Sequence, residues 1–247
     1  MGQLKIRDIA STWTEAILDE LLPRHCLMCG LCSGVENLCD PCAAELPRIG
    51  HSCLQCGLPL LHQADRICGR CLCKAPPWSL AVAALIYSFP VDQLVCRFKF
   101  GRNLACGRIL SRELIRAVAE ECTDMPACIL PVPLHRTRHF FRTFNQADLL
   151  ARQTGKSLGI PVYSSVLRRR RRTRAHSGLD AASRKRNIKG AFACRLPARK
   201  KAEFRHVALV DDVLTTGATL AECVRTLKKA GAGRVSIWVA ARAPKPC

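Results

Sequence analysis

His206–Leu220 reads HVALVDDVLTTGATL, an aliphatic run that ends in two adjacent carboxylates and then turns through Thr-Thr-Gly-Ala-Thr. Val207–Val210 has the character of a buried strand, and Thr219–Ala230, closed by Gly231, has the period of a helix. A helix start offers unpaired amides and a partial positive charge. A phosphate can therefore rest on the amides of Thr216, Gly217, Ala218 and Thr219 and on the threonine hydroxyls, with Gly217 allowing close backbone approach. Asp211 and Asp212, emerging at the strand's carboxyl end, cannot favour that phosphate, but they are acceptors for vicinal sugar hydroxyls. Both halves describe one molecule, a ribose with a 5-phosphate. The plainer reading, an N-cap on a surface turn, accounts for one Asp and leaves the second Asp and the threonines without a purpose. The competing GKS at Gly155–Ser157 has Leu150 where a Walker loop needs its first glycine.

Around this turn, strands and helices alternate. Val82–Tyr87, Cys128–Pro133 and Val235–Ala241 read as strands, and Leu104–Glu121 and Asn145–Leu158 as helices. Strands separated by amphipathic helices imply an α/β domain with a mainly parallel sheet and helices on its faces, where ligands collect beyond the carboxyl ends of the strands.

Ten of the 17 cysteines crowd into residues 26–73. They include four Cys-x-x-Cys knuckles: Cys26/Cys29, Cys39/Cys42, Cys53/Cys56 and Cys68/Cys71. Each knuckle is half of a tetrahedral thiolate site, so four supply two structural Zn²⁺ ions. Sequential pairing suits the short loops; crossed pairing stays open, as does substitution by Cys32 or Cys73. Neither set leaves a position for water, which excludes a catalytic metal. Roughly 50 residues with so little apolar content need such a staple to fold. The Pro-rich KAPPW, Lys74–Trp78, marks a boundary. The expected organisation is an N-terminal amphipathic helix (1–24), a double zinc ribbon (25–76) and the α/β domain (77–247).

Lys and Arg exceed Asp and Glu by 20, and Arg168–Arg205 holds 15 basic against two acidic residues, +13 of that total. Such a segment suits polyanions, single-stranded DNA among them, although only Phe192 and Phe204 are there to stack on bases. The longest apolar run, Leu80–Tyr87, is too short to span a bilayer, and residues 1–23 lack the continuous apolar segment of an export signal; a cytoplasmic protein with no membrane span is expected.

VALVDDVLTTGAT resembles the phosphoribosyl-pyrophosphate motif of type I phosphoribosyltransferases. With the four knuckles, CGRCLCKAPPW, FKFGR, PVPLHRTRHFFRTFNQA and RKRNIKGAF, the chain from about Cys26 to Arg242 resembles the ComF family of bacterial competence and DNA-utilisation proteins. The resemblance implies a double zinc ribbon joined to a type I phosphoribosyltransferase-like domain. It implies that Asp211 and Asp212 hold the ribose 2- and 3-hydroxyls at the reacting sugar and that Thr215–Thr219 hold the 5-phosphate. His135, Arg136 and Arg138 would face the pyrophosphate, which Mg²⁺ accompanies, and Arg172–Lys189 would match the loop that covers the site. Two functions remain: a phosphoribosyltransferase with an unidentified acceptor, or a non-catalytic module that senses phosphoribosyl pyrophosphate while ribbons and basic loops hold single-stranded DNA or a competence-machinery protein.

Overall fold

The computed structural model describes residues 25–33, 37–62, 64–134, 144–171, 186 and 188–244. The expected helix over 1–24, His135, Arg136 and Arg138, and most of the Arg172–Lys189 segment lie outside them. The chain divides into two compact units, Met1–Leu46 and Pro47–Cys247.

In the first unit the Cys26–Gly30 turn closes with Gly30 N–H donating to Cys26 O at 2.9 Å. Its short helix α1 (Asp40–Ala44) starts from Cys39, with Pro41 in the first turn, where a missing N–H costs nothing.

The second unit opens with the other two knuckles and the short helix α2 (Gly69–Cys73). Then come β1 (Leu80–Ile86), α3 (Val91–Phe100), α4 (Leu104–Glu121), β2 (Cys128–Pro131) and α5 (Gln146–Leu158). A small antiparallel hairpin, β3 (Leu167–Arg169) with β4 (Phe192–Cys194), precedes a 3-10 turn, Ala198–Phe204. The chain finishes with β5 (His206–Leu214), α6 (Ala218–Lys229) and β6 (Arg234–Arg242). The main sheet has the order β1-β6-β5-β2, every pair parallel, as the strand–helix alternation requires. On one face Val207, Leu209, Ile237 and Val239 pack with Leu220, Cys223, Val224 and Leu227 of α6. On the strands α4 packs against β1 and β6, and α5 against β2 and β5.

Two connections leave the middle of the sheet in opposite directions. From β5 the chain passes through α6 to β6. From β2 it passes through α5 to Val162, which forms a parallel bridge with Ile129 on the outer edge of β2. The crevice between the carboxyl ends of β2 and β5 is therefore the topological switch point, the usual ligand position in an open α/β sheet.

Three features depart from the sequence reading. Strand β5 does not end at Val210 but runs to Leu214, because β6 stays alongside it as far as Leu214↔Arg242. Helix α3 was not anticipated; its Val91, Leu94, Val95 and Phe98 are buried at helical spacing. The third is the β3/β4 hairpin, whose strands are only three residues long. No helix among the described residues is long and apolar enough to cross a membrane.

Candidate functional site

Strand β2 ends at Pro131, opposite Val210, so residues 211–214 of β5 pass beyond it at the crevice. Side chains alternate across a strand, which sends Asp211 and Asp212 to opposite faces. Asp212 lies on the face of α3, with Oδ1 2.9 Å from the Lys99 ammonium. That pair is mostly shielded, the side chains 13% and 20% exposed. Asp211 accepts the N–H of Asp212 through Oδ1 at 2.9 Å. Burial, and then the charge of Asp212, push the Asp211 carboxyl up to about 7, against the pull of Lys99, the Asp212 amide and Arg169. The two carboxylates expected to emerge at the strand's carboxyl end are thus unequal: one is ion-paired and the other is held near the point of protonation.

The sign of that perturbation gives a prediction. A carboxyl whose folded pKa is raised binds more protons folded than unfolded. Stability therefore falls as pH rises from about 4 to about 7. A tenfold difference in proton affinity between the two states is worth about 1.4 kcal/mol. Asp211→Asn removes the poorly solvated charge, and above pH 7 we expect it to melt roughly 5 °C higher than the parent chain, with the gap closing at pH 4 to 5. Melting curves at both pH values check this, and a pH-independent gap contradicts it. Asp212→Asn, which removes one carboxylate paired with Lys99, brings no such gain.

Beyond the carboxylates Thr215 and Thr216 are exposed and lead to Gly217, which begins α6 at φ +76°. This left-handed backbone favours glycine, and a Cβ there would also meet Trp78 Cη2 at 3.0 Å. No side chain caps α6 at Gly217, and the contact of the Thr216 hydroxyl with Ala218 N–H is long, at 3.5 Å. The first-turn amides therefore face an open turn, the arrangement that receives an anion. Across the crevice, Asn145 caps α5 by accepting the Ala147 N–H at 3.2 Å and donates through Nδ2 to Val132 O at 3.0 Å. It thereby fixes the chain leaving β2 toward residues 135–143.

Sequence reading missed Lys99 and Arg169. Lys99 belongs to the FKFGR stretch, but only α3 shows which carboxylate it meets. Arg169, whose guanidinium stacks 5.5 Å from the centre of the Phe192 ring, contributes positive potential at Asp211.

The eight knuckle cysteines gather in two groups, Cys26, Cys29, Cys39 and Cys42 in the first unit and Cys53, Cys56, Cys68 and Cys71 in the second. Within each group all sulfurs lie within 4.8 Å of one another. This is the sequential grouping; Cys32 and Cys73 are exposed and belong to neither. The separations Cys29–Cys39, 3.6 Å, and Cys56–Cys68, 3.7 Å, match the edge of about 3.8 Å that a tetrahedron of 2.3 Å zinc–sulfur bonds requires. In each group one thiol is drawn down although burial opposes it: Cys26 to about 6 and Cys68 to about 7, through hydrogen bonds from backbone amides and neighbouring thiols. The Cys39 sulfur and burial push Cys42 up to about 12; burial and the Cys53 sulfur push Cys56 up to about 11. Crowded sulfurs that cannot all ionise alone do so around a divalent cation. Both groups are consistent with structural zinc.

A double zinc ribbon domain matches residues 17–72, and a phosphoribosyl transferase domain matches residues 148–246. The chain is 37% identical over 223 residues to competence protein F of Haemophilus influenzae, covering 89% of this chain and 93% of that one. It is 37% identical over 227 residues to the DNA utilization protein YhgH of Escherichia coli K12, covering 90% and 98%. A purine phosphoribosyltransferase from Pyrococcus horikoshii is similar at 22% identity, over 56% of this chain and 76% of the other, with a TM-score of 0.36. Two four-cysteine groups, a parallel sheet ending in the Asp-Asp/Thr-Thr-Gly turn, and near full-length similarity agree: the chain belongs to the ComF family, that of competence protein F and the DNA utilization protein YhgH.

Proposed function

We propose that the crevice binds phosphoribosyl pyrophosphate as its Mg²⁺ complex, and that the protein uses this site in DNA uptake or utilisation. The observation that carries the reading is the join of β5 to α6, where two carboxylates run within one turn of chain into uncapped helix amides. In this reading Asp211 and Asp212 accept the ribose hydroxyls, Asp212 sharing its charge with Lys99. The amides and hydroxyls of Thr215, Thr216, Gly217, Ala218 and Thr219 hold the 5-phosphate. The pyrophosphate falls to Arg136 and Arg138 as the family resemblance implies; both lie outside the described residues. Mg²⁺, which is held by phosphates with one or two carboxylates and waters, neutralises pyrophosphate charge when bound.

Transfer needs a sugar with oxocarbenium character, a leaving pyrophosphate and an acceptor. The residues named supply the first two by orientation and electrostatics. A calorimetric titration with phosphoribosyl pyrophosphate and Mg²⁺, followed by pyrophosphate release across candidate acceptors, tests both levels. Saturable binding with release in the presence of one acceptor establishes an enzyme, binding without release a sensor, and no binding removes the proposal.

The names of the relatives and the +13 segment at Arg168–Arg205 support contact with single-stranded DNA. Such binding is carried by phosphate contacts, so its affinity falls steeply between low and moderate salt. Salt-insensitive binding contradicts it.

A further inference from the structure

The second four-cysteine group is joined to the pocket through its own backbone. Two carbonyls of its knuckle Cys53–Cys56, those of Gln55 and Cys56, are each taken by a residue that also touches the phosphate turn. The Trp78 indole N–H donates to Gln55 O at 2.5 Å, while the far edge of the same ring lies against Gly217. Arg242, 7% exposed, donates from Nε to Cys56 O at 2.8 Å. From Nη1 it donates to Leu214 O and Thr215 O at 2.8 and 2.9 Å, and to Ala243 O at 2.6 Å. One guanidinium thus spans the knuckle and the last two residues before the exposed Thr216.

The knuckle is itself fastened to the sheet. Ala81 N–H of β1 donates to Leu54 O at 2.7 Å, and Gly57, at φ +64°, packs so closely on Ala83 that an added Cβ would lie 3.2 Å from that side chain. Electrostatics favour the same arrangement. Four thiolates around one Zn²⁺ leave two negative charges, and the buried Arg242 cation sits beside that knuckle, where it compensates them.

We propose that the metal centre of Cys53, Cys56, Cys68 and Cys71 shapes the phosphate turn through Arg242 and Trp78, which act as positioning residues, so that metal occupancy governs affinity for a 5-phosphate. The proposal rests on the reading of the crevice as a sugar-phosphate pocket. With the metal in place the Gln55 and Cys56 carbonyls are fixed, and the Leu214–Gly217 backbone is held from beneath while its amides face the crevice. Without it the knuckle can shift, and both anchors lose acceptors held at fixed positions. A preorganised anion site is sensitive to small backbone shifts.

Coupling of this kind is reciprocal, which supplies a readout that a merely structural role would not move. Zinc retention is measured by competition with a chromophoric chelator, with and without saturating ribose 5-phosphate. One of the two zinc ions is expected to be held roughly tenfold more tightly when the ligand is present. In Arg242→Lys, which keeps the charge but cannot span the same carbonyls, zinc stays at two per chain while the ligand's effect on retention disappears. Trp78→Phe, which keeps an aromatic ring and loses the N–H, shows the same loss in weaker form. Retention that ribose 5-phosphate leaves unchanged, although calorimetry shows it bound, overturns the proposal. If the parent chain binds no ribose 5-phosphate, the pocket reading fails by itself, and amide exchange at residues 214–218 then decides the coupling. Exchange that quickens when zinc is stripped from the second centre upholds it, and exchange that does not change overturns it.

Discussion

Replacing Asp211 and Asp212 together by Asn is expected to leave the protein folded and to abolish measurable affinity for phosphoribosyl pyrophosphate. A hydrogen bond to a charged acceptor is worth about 1.5 to 3 kcal/mol, so losing two costs roughly two to four orders of magnitude in affinity. Removing negative charge beside a polyanionic ligand works the other way, and this opposition makes the experiment decisive. If the carboxylates merely border a phosphate site, neutralising them strengthens binding. If they accept sugar hydroxyls, binding collapses even though the repulsion is gone. Inorganic pyrophosphate, which has no hydroxyls to offer, provides the internal comparison: the double variant holds it at least as well as the parent. Folding is safe because Asn is isosteric and the Asp211 charge is a burden on the folded state near neutrality. Calorimetry with both ligands reads all of this, and unchanged affinity for the sugar pyrophosphate counts against the ribose assignment.

The second large effect is that of metal removal. Among the described residues of the first unit, the buried apolar side chains are few: Cys26, Leu38 and Leu46. Cys26 is itself a ligand candidate. So small a core cannot offset the entropy of ordering the segment, whereas a structural zinc contributes about 10 to 16 kcal/mol to such a fold. We expect two zinc ions per chain in freshly purified protein. On chelation, residues 25–46 lose amide protection and become open to proteases, while the sheet built from β1, β2, β5 and β6 stays folded. Elemental analysis with hydrogen exchange and limited proteolysis checks this. Protein without zinc, or a ribbon still protected after its metal is stripped, contradicts it.

How much was readable in the sequence follows the range of the forces involved. Helix α4 has the limits read from its sequence because its signals are local. Asn103 accepts the N–H groups of Ala105 and Cys106, and apolar residues keep the helical period as far as Val118. The cysteine groups were readable because a knuckle is a single turn and its metal preference lies in the residue type. The Asp-Asp/Thr-Thr-Gly join was readable as a strand meeting a helix, yet its electrostatics were not. The Lys99–Asp212 pair depends on where α3 packs, and the inequality of the two carboxylates depends on burial. The extension of β5 to Leu214 was hidden for a similar reason, since only pairing with β6 keeps Asp211 and Asp212 extended. Arg242 reads in sequence as the polar end of an apolar strand. Its four carbonyl partners come from the knuckle, from Leu214 and Thr215 and from its own neighbour, contacts that no local pattern signals. The hairpin strand Leu167–Arg169 lies within a basic run and carries little strand character of its own.

In the proposed reading both carboxylates and the helix start serve one sugar phosphate, and amide hydrogen exchange along residues 206–220 tests that directly. With saturating phosphoribosyl pyrophosphate and Mg²⁺, the amides of Thr216–Thr219 become protected, and the protection is lost when Asp211 and Asp212 are both Asn. Ligand that binds elsewhere on the chain and leaves these amides exchanging at their unliganded rate would contradict the account.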